Sequence, residues 1–387
     1  MPSMRNSVLG EVVLEEDDAG AFHINTTDPM SQPVFLNGVN VHEMLSTLMS
    51  TVSEQQSAID RVFGSKVCTL SAQTFGQLGF TTNKWLGGVL ATNGLIYAAP
   101  SKSPSVLIIN PSTNTVDITT IPGLGTDNGK WAGAVLAHNG LIYMFPSNRD
   151  TMLIVDPNTN TIDTSSIDSL GSGNSKWKSG VAASNGLIFG IPSSATSVLI
   201  VDPETNTADI TTLSGLLSQD YKWYDGVQAE NGLIYCIPAM ASAVLTINPE
   251  SLTMDLTTIS GLGTGFKWLG GVLSRSGLIY SIPAHSATTL VINPVTNTTN
   301  ELPVVEVTNF PKWVGGVLAP NGNIIGIPYS SSAVIVVNPP TNITDTRIIN
   351  DLAGSSFKWW HGVLANDGLI YGIPYNADSV LVIDPGC

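Results

Sequence analysis

The sequence predicts an all-β fold, a seven-bladed β-propeller, and three observations carry that expectation. Seven Lys-Trp pairs recur along the 387 residues, at Lys84-Trp85, Lys130-Trp131, Lys176-Trp177, Lys222-Trp223, Lys267-Trp268, Lys312-Trp313 and Lys358-Trp359, in steps of 46, 46, 46, 45, 45 and 46. Each interval holds four short apolar or β-branched runs set apart by turn signals. The seventh copy stops one run short, at Cys387, while a matching run stands upstream of the first pair. A fixed period of this length marks a unit that stacks on its neighbours to bury its apolar faces.

The second copy shows how a unit is built. After Lys130-Trp131 come AGAVLA and LIYMF, two apolar runs joined at Asn139-Gly140. Asn-Gly is the strongest two-residue hairpin signal, because both central positions of a type I′ turn take positive φ. The same turn is expected at Asn93-Gly94, Asn185-Gly186, Asn231-Gly232 and Asn321-Gly322, with Ser276-Gly277 and Asp367-Gly368 as variants. Proline, which cannot donate to a ladder, ends the second run at Pro100, Pro146, Pro192, Pro238, Pro283, Pro328 and Pro374. A β-branched run closed by Asn-Pro or Asp-Pro follows, then a Thr-rich run such as TVDITTI. Four antiparallel strands in about 46 residues make one propeller blade. The Gly- and Ala-rich first strand suits the crowded axis, and the Thr-rich fourth suits a half-exposed rim. Residues Thr69 to Phe75 are expected to supply the seventh blade's missing strand and so close the ring.

The consensus KWxGGVLAxNGLIYxIPxxxxSVLIIDPxTNT, spanning Lys66 to Cys387, resembles seven-bladed propellers of the kelch, NHL and YVTN-repeat kind. It lacks the Gly-His and Trp-Asp pattern of WD40 repeats and the Gly-Gly pattern of kelch. It looks like a repeat class carried by proteins of algae, protists and large DNA viruses, and that likeness implies no particular activity.

Three regions are expected: an extended anchoring arm at 1–40, a helix at 41–63 and the propeller at 66–387. In the arm, SVLGEVVL, AFHINTT and PVFLNGVNV read as short strands or extended segments around an acidic EEDDAG turn. In the helix, Val41, Leu45, Leu48, Val52, Gln55, Ile59 and Val62 alternate steps of four and three, the spacing of a short coiled coil. β-branched residues at both core positions favour three strands or more, with Gln55 setting the register. A single amphipathic helix packed on the propeller is the competing reading. An extended module, a short heptad helix and an all-β head together resemble trimeric viral and phage fibres.

Composition narrows the function. The net charge of −15 repels polyanions, so nucleic acid is not an expected partner. Apolar residues make up 43% and charged ones 12%, enough to bury a large core. No apolar stretch approaches the ~18 residues of a membrane span, and no secretory signal is legible at the N-terminus. Membrane insertion is therefore not expected. Three cysteines, Cys68, Cys236 and Cys387, form neither a disulfide framework nor a ligand spacing, and no metal or cofactor is expected.

Two sets of residues are candidates for a site. The Lys-Trp ring can be read as a cationic collar with stacking surfaces, or as a device that packs blades, and its repetition in every blade favours packing. Departures from the repeat are the better guide. Where other blades follow Trp with a small apolar pair, three carry Lys178-Ser179, Tyr224-Asp225 and Trp360-His361. An ammonium, an aromatic pair, a carboxylate and an imidazole at the start of the inner strand suit a carbohydrate. Asp225 and His361, on blades four and seven, are expected nearly across the ring from each other. Without a recognisable catalytic motif the chain is read as non-enzymatic. The expected function is a virion fibre or spike, its arm bound to a capsid or other structural protein, trimerised through its helix and contacting a host glycan or surface protein. A cytoplasmic propeller scaffold for protein partners is the alternative.

Overall fold

A computed structural model describes residues 12–16, 22–26, 35–36, 39–63, 69–304, 311–346, 352 and 356–386. The chain divides into two units, Met1–Cys68 and Thr69–Cys387.

In the first unit, Val12–Glu16 pairs antiparallel with Phe22–Thr26, and Phe35–Leu36 with Val39–Asn40. A helix follows over Val41–Phe63. It begins where Asn40 Oδ1 accepts the Glu43 N–H at 3.3 Å, satisfying a donor that the first turn leaves open. Leu45, Leu48 and Val52 are exposed, as are Met44 and Met49. The side chains of Ile59 and Val62 lie outside the described residues.

The second unit is a ring of seven four-stranded antiparallel sheets. Blade one runs Trp85–Leu90, Ile96–Pro100, Leu107–Asn110 and Thr115–Asp117 from axis to rim. Inner strands of the next six blades begin at Trp131, Trp177, Trp223, Trp268, Trp313 and Trp359. Each packs on the next, and the seventh packs on the first. Ser71–Phe75 pairs with Val380–Asp384, Val382 facing Gln73, so the two ends of the chain share blade seven.

The core lies between blades. Trp223, for example, sits among Phe189 and Ile191 of blade three and Ile234, Cys236 and Leu245 of blade four. Trp85 joins Tyr371, Ile373 and Val380 of blade seven, which seals the ring with the same contact. Cys236 is fully buried here, and burial pushes its thiol well up.

Two local features depart from the expected geometry. The Asn-Gly turns are not type I′: Gly94 has φ +79° while Asn93 is not among the positive-φ residues. Gly94 N–H bonds Ala91 O, and Ala91 N–H bonds Leu95 O, which makes a type I turn followed by a glycine bulge. The asparagine is then free to act through its side chain. Asn93 Nδ2 donates to Pro157 O of the next blade at 2.8 Å, and Tyr97 OH donates to Asn160 Oδ1 at 2.9 Å. Asn139, Asn185, Asn231 and Asn321 repeat the bond, to Pro203, Pro249, Pro294 and Pro385. The turn is thus a clasp between blades.

The fourth strands are also shorter than the Thr-rich runs suggest. Asp117 accepts N–H and hydroxyl hydrogens from Thr119 and Thr120, which folds the chain away from the ladder after three residues. Asp163, Asp209 and Asp255 do the same. Blade five has Asn300 and Glu301 in this stretch, and its outer strand continues over Thr298–Pro303.

Candidate ligand-binding site

The first residues of all seven inner strands converge on the axis, and glycine sets how closely. An ideal Cβ on Gly133 would stand 2.8 Å from the Ser179 Cα, one on Gly270 2.7 Å from the Gly315 Cα, and one on Gly315 2.8 Å from the His361 Cα. Gly87, Gly133, Gly270 and Gly315 have positive φ at this place, where a bulge interrupts each inner pair. In the remaining blades Ser179, Asp225 and His361 occupy the position. His361 takes φ +66°, a costly backbone for a residue with a Cβ.

This convergence brings together two residues expected apart. His361 Nε2 lies 3.3 Å from Asp225 Oδ2 across the axis, so blades four and seven meet through side chains. With four glycines and Ser179 at the other positions, the neck is narrow enough for one carboxylate and one imidazole to span it. Asp225 is otherwise held from within: Oδ1 accepts Ser179 Oγ–H at 3.0 Å and Gly226 N–H at 3.0 Å, and Oδ2 accepts Gly271 N–H at 3.2 Å. Burial opposes charge on His361, but the bond to Asp225, its charge, and the Gly362 carbonyl near Nδ1 outweigh it and raise the imidazole pKa. Both ring nitrogens face oxygens, an arrangement that the imidazolium satisfies.

Above the neck, whose cavity volume is about 80 Å³, the ring opens into a funnel of about 430 Å³. Lys178, Tyr224, Leu269 and Trp360 line both. The funnel has two unlike halves. Blades four to seven contribute Tyr221, Tyr224, Phe266, His285, Tyr329, Phe357, Trp360 and Tyr375. Trp360 lies at the centre of this set, with ring centroids 5.9 Å from Tyr224, 5.1 Å from Tyr329 and 5.6 Å from Tyr375. Burial raises the hydroxyls of Tyr224, Tyr329 and Tyr375, the last to about 12, so these three stay neutral. Blades one to three contribute Ser101, Asn128, Asn148, Ser175 and Lys178. Lys178 Nζ donates to Ser147 Oγ at 3.0 Å.

All five irregular residues singled out in the sequence line the neck, and Lys178, Tyr224 and Trp360 line the funnel as well. Five aromatics beside them, Tyr221, Phe266, Tyr329, Phe357 and Tyr375, escaped the sequence reading. Their signal was present in the repeat: Tyr221, Phe266 and Phe357 precede ring lysines that follow Asn83, Gly129, Ser175 or Pro311 elsewhere. Tyr329 and Tyr375 follow prolines that precede serine or alanine in the other blades.

The seven ring lysines are not in the funnel wall. Each is buried, and each ammonium faces backbone carbonyls. Lys130 Nζ donates to Ser101 O at 2.9 Å and Ser103 O at 3.0 Å of the preceding blade, and to Asp127 O at 3.3 Å. Lys176, Lys222 and Lys267 repeat the three-sided contact. Lys84, Lys312 and Lys358 also donate to carbonyls. Burial lowers all seven to about 8. The tryptophans are buried between blades, and Trp131 Nε1 donates to Thr151 O at 2.8 Å, as its six counterparts do to carbonyls twenty residues on.

Among the described residues no helix is long and apolar enough to cross a membrane, and no cluster of His, Cys, Asp and Glu could hold a metal ion.

No family model and no curated protein matches the chain in sequence. Solved structures do match its fold, which is that of a seven-bladed β-propeller. Virginiamycin B lyase from Staphylococcus aureus is 11% identical with a TM-score of 0.66, over 81% of this chain and 99% of that one. Hydrazine synthase from Kuenenia stuttgartiensis is 12% identical with a TM-score of 0.58, over 78% and 95%. A chain of the mitotic checkpoint complex is 10% identical with a TM-score of 0.59, over 82% and 91%. The fold thus serves enzymes and assembly components alike, and at this identity the likeness extends to the fold alone.

Proposed function

We propose that the chain is a non-enzymatic binding protein of fibre or spike type. Residues 1–40 anchor it to a capsid or other structural protein, the helix at 41–63 joins three copies, and the propeller head holds a host-surface glycan in the funnel. The observation that carries this reading is the division of the funnel into an aromatic half and a polar half. A sugar ring presents an apolar face and a rim of hydroxyls, and so matches both. Stacking falls to Trp360 and Tyr224. Hydroxyls meet Lys178 and the asparagines and serines opposite. Asp225, whose oxygens are taken by four donors within the protein, acts by holding His361 in place.

The bonding order supports binding over catalysis. Ser179 donates to Asp225, not to His361, so the imidazole is not placed to take its proton as it is in a Ser-His-Asp triad. A glycan array comparing wild type with the Tyr224→Ala, Trp360→Ala double variant tests the reading. Wild type is expected to bind, and Trp360→Ala alone to weaken binding several-fold to about tenfold. No binding by wild type, or unchanged binding by the folded double variant, overturns it.

One observation favours the second reading, an intracellular scaffold for a protein partner. Phe80 and Leu217, 87% and 75% exposed, stand in the loops leading to Lys84 and Lys222, on the funnel's face. Light scattering after size exclusion separates the two: a trimer supports the fibre, a monomer the scaffold.

A further inference from the structure

We propose that the funnel's ligand is a sugar bearing an anionic substituent, a carboxylate or a sulfate ester, and that Lys178 is the residue that selects it. The inference rests on the carbohydrate reading above and sharpens it.

Position, charge and bonding all single out Lys178. It is the residue directly after the repeated tryptophan, a place held in the other six blades by Leu86, Ala132, Tyr224, Leu269, Val314 and Trp360. No packing role common to the blades asks for a cation there. The seven ring lysines spend their ammonium groups on carbonyls between blades, whereas Lys178 gives one of its three donors to a neutral hydroxyl, Ser147 Oγ. It also lines both funnel and neck, so its side chain borders space that a ligand can enter.

The charge is uncompensated. Among the described residues lining funnel and neck, Asp225 is the one carboxylate and Lys178 the one lysine or arginine. Asp225 faces His361, and its oxygens are already taken by Ser179, Gly226 and Gly271 as well, so it is engaged away from Lys178. His285 is held neutral by burial and by the nearby Lys312 charge. What is left is a single ammonium, on the blade next to Tyr224, in the same lining as Trp360. An anionic substituent on the ligand supplies the missing countercharge in a partly water-excluded site, where charge-assisted bonds are strongest.

Titration calorimetry with three probes, sialyllactose, lactose 3′-sulfate and lactose, on wild type and Lys178→Met, tests this. Methionine suits a place that is apolar in the other blades, so the variant is expected to fold. Wild type should bind at least one acidic probe about tenfold or more tightly than lactose, and Lys178→Met should bind that probe no better than lactose. Which acid is preferred identifies the substituent. Burial lowers Lys178 to about 8, so the preference should hold at pH 7 and decline as pH rises toward 9. Lactose bound as tightly as both acids, or a preference that survives in Lys178→Met, overturns the inference and leaves the carbohydrate reading standing. Failure of all three probes to bind overturns both.

Discussion

His361 Nε2 and Asp225 Oδ2 stand 3.3 Å apart across the propeller's neck, bridging the inner strands of blades seven and four. The contact ties the halves of the ring together at their narrowest point and sits under the funnel floor. Because the folded pKa of His361 is raised above 6.5, the pair's contribution to stability is complete below 6.5 and is lost as pH rises through the folded value. Imidazole NMR should place His361 above the ordinary histidine range, and Asp225→Asn should lower it. An unshifted His361 in wild type would show that the contact is not an ion pair.

Lys130→Met should destabilise the ring by on the order of 2–4 kcal/mol, since Ser101 O, Ser103 O and Asp127 O each lose a bond from the same ammonium in a buried setting. Chemical denaturation measures it. A loss below about 0.5 kcal/mol would mean that water serves these carbonyls equally well.

Ring closure by Ser71–Phe75 makes a sharp truncation prediction. Removal of residues 1–60 should leave the head's melting temperature unchanged. Removal of 1–76 exposes the edge of Val380–Asp384 and should lower it steeply or cause aggregation. Equal melting of the two fragments would rule out a structural role for the strand.

Hydrogen bonds from Thr and Ser lower Asp117, Asp163 and Asp209 to about 2, and Asp255 further still. Depressed carboxylates add stability above about 3.8 that is lost as pH falls through the folded values. The melting temperature should therefore drop between pH 4 and pH 2. Replacing all four with Asn should flatten that drop.

Leu48 and Val52 are exposed on the helix, and the proposed trimer would bury them. Sedimentation should show a trimer for wild type and a monomer with a folded head for Leu48→Asp combined with Val52→Asp. A wild-type monomer at micromolar concentration would refute the trimer.

The repeat by itself determined the blade count, the strand order from axis to rim and the closing strand, because a period of 45 or 46 residues and its alternating apolar runs are local properties of the chain. It also marked Lys178, Tyr224, Asp225, Trp360 and His361, each a break in an otherwise regular pattern. Less local matters stayed hidden. The type I turn with its glycine bulge emerged only with the partner blade in place, since Asn93 serves Pro157 O, 64 residues away. Asp225 and His361, 136 residues apart, meet because four glycines elsewhere let seven backbones crowd the axis. That distance is a property of the closed ring and of no single repeat, and so tertiary structure alone decided what the irregular residues form together.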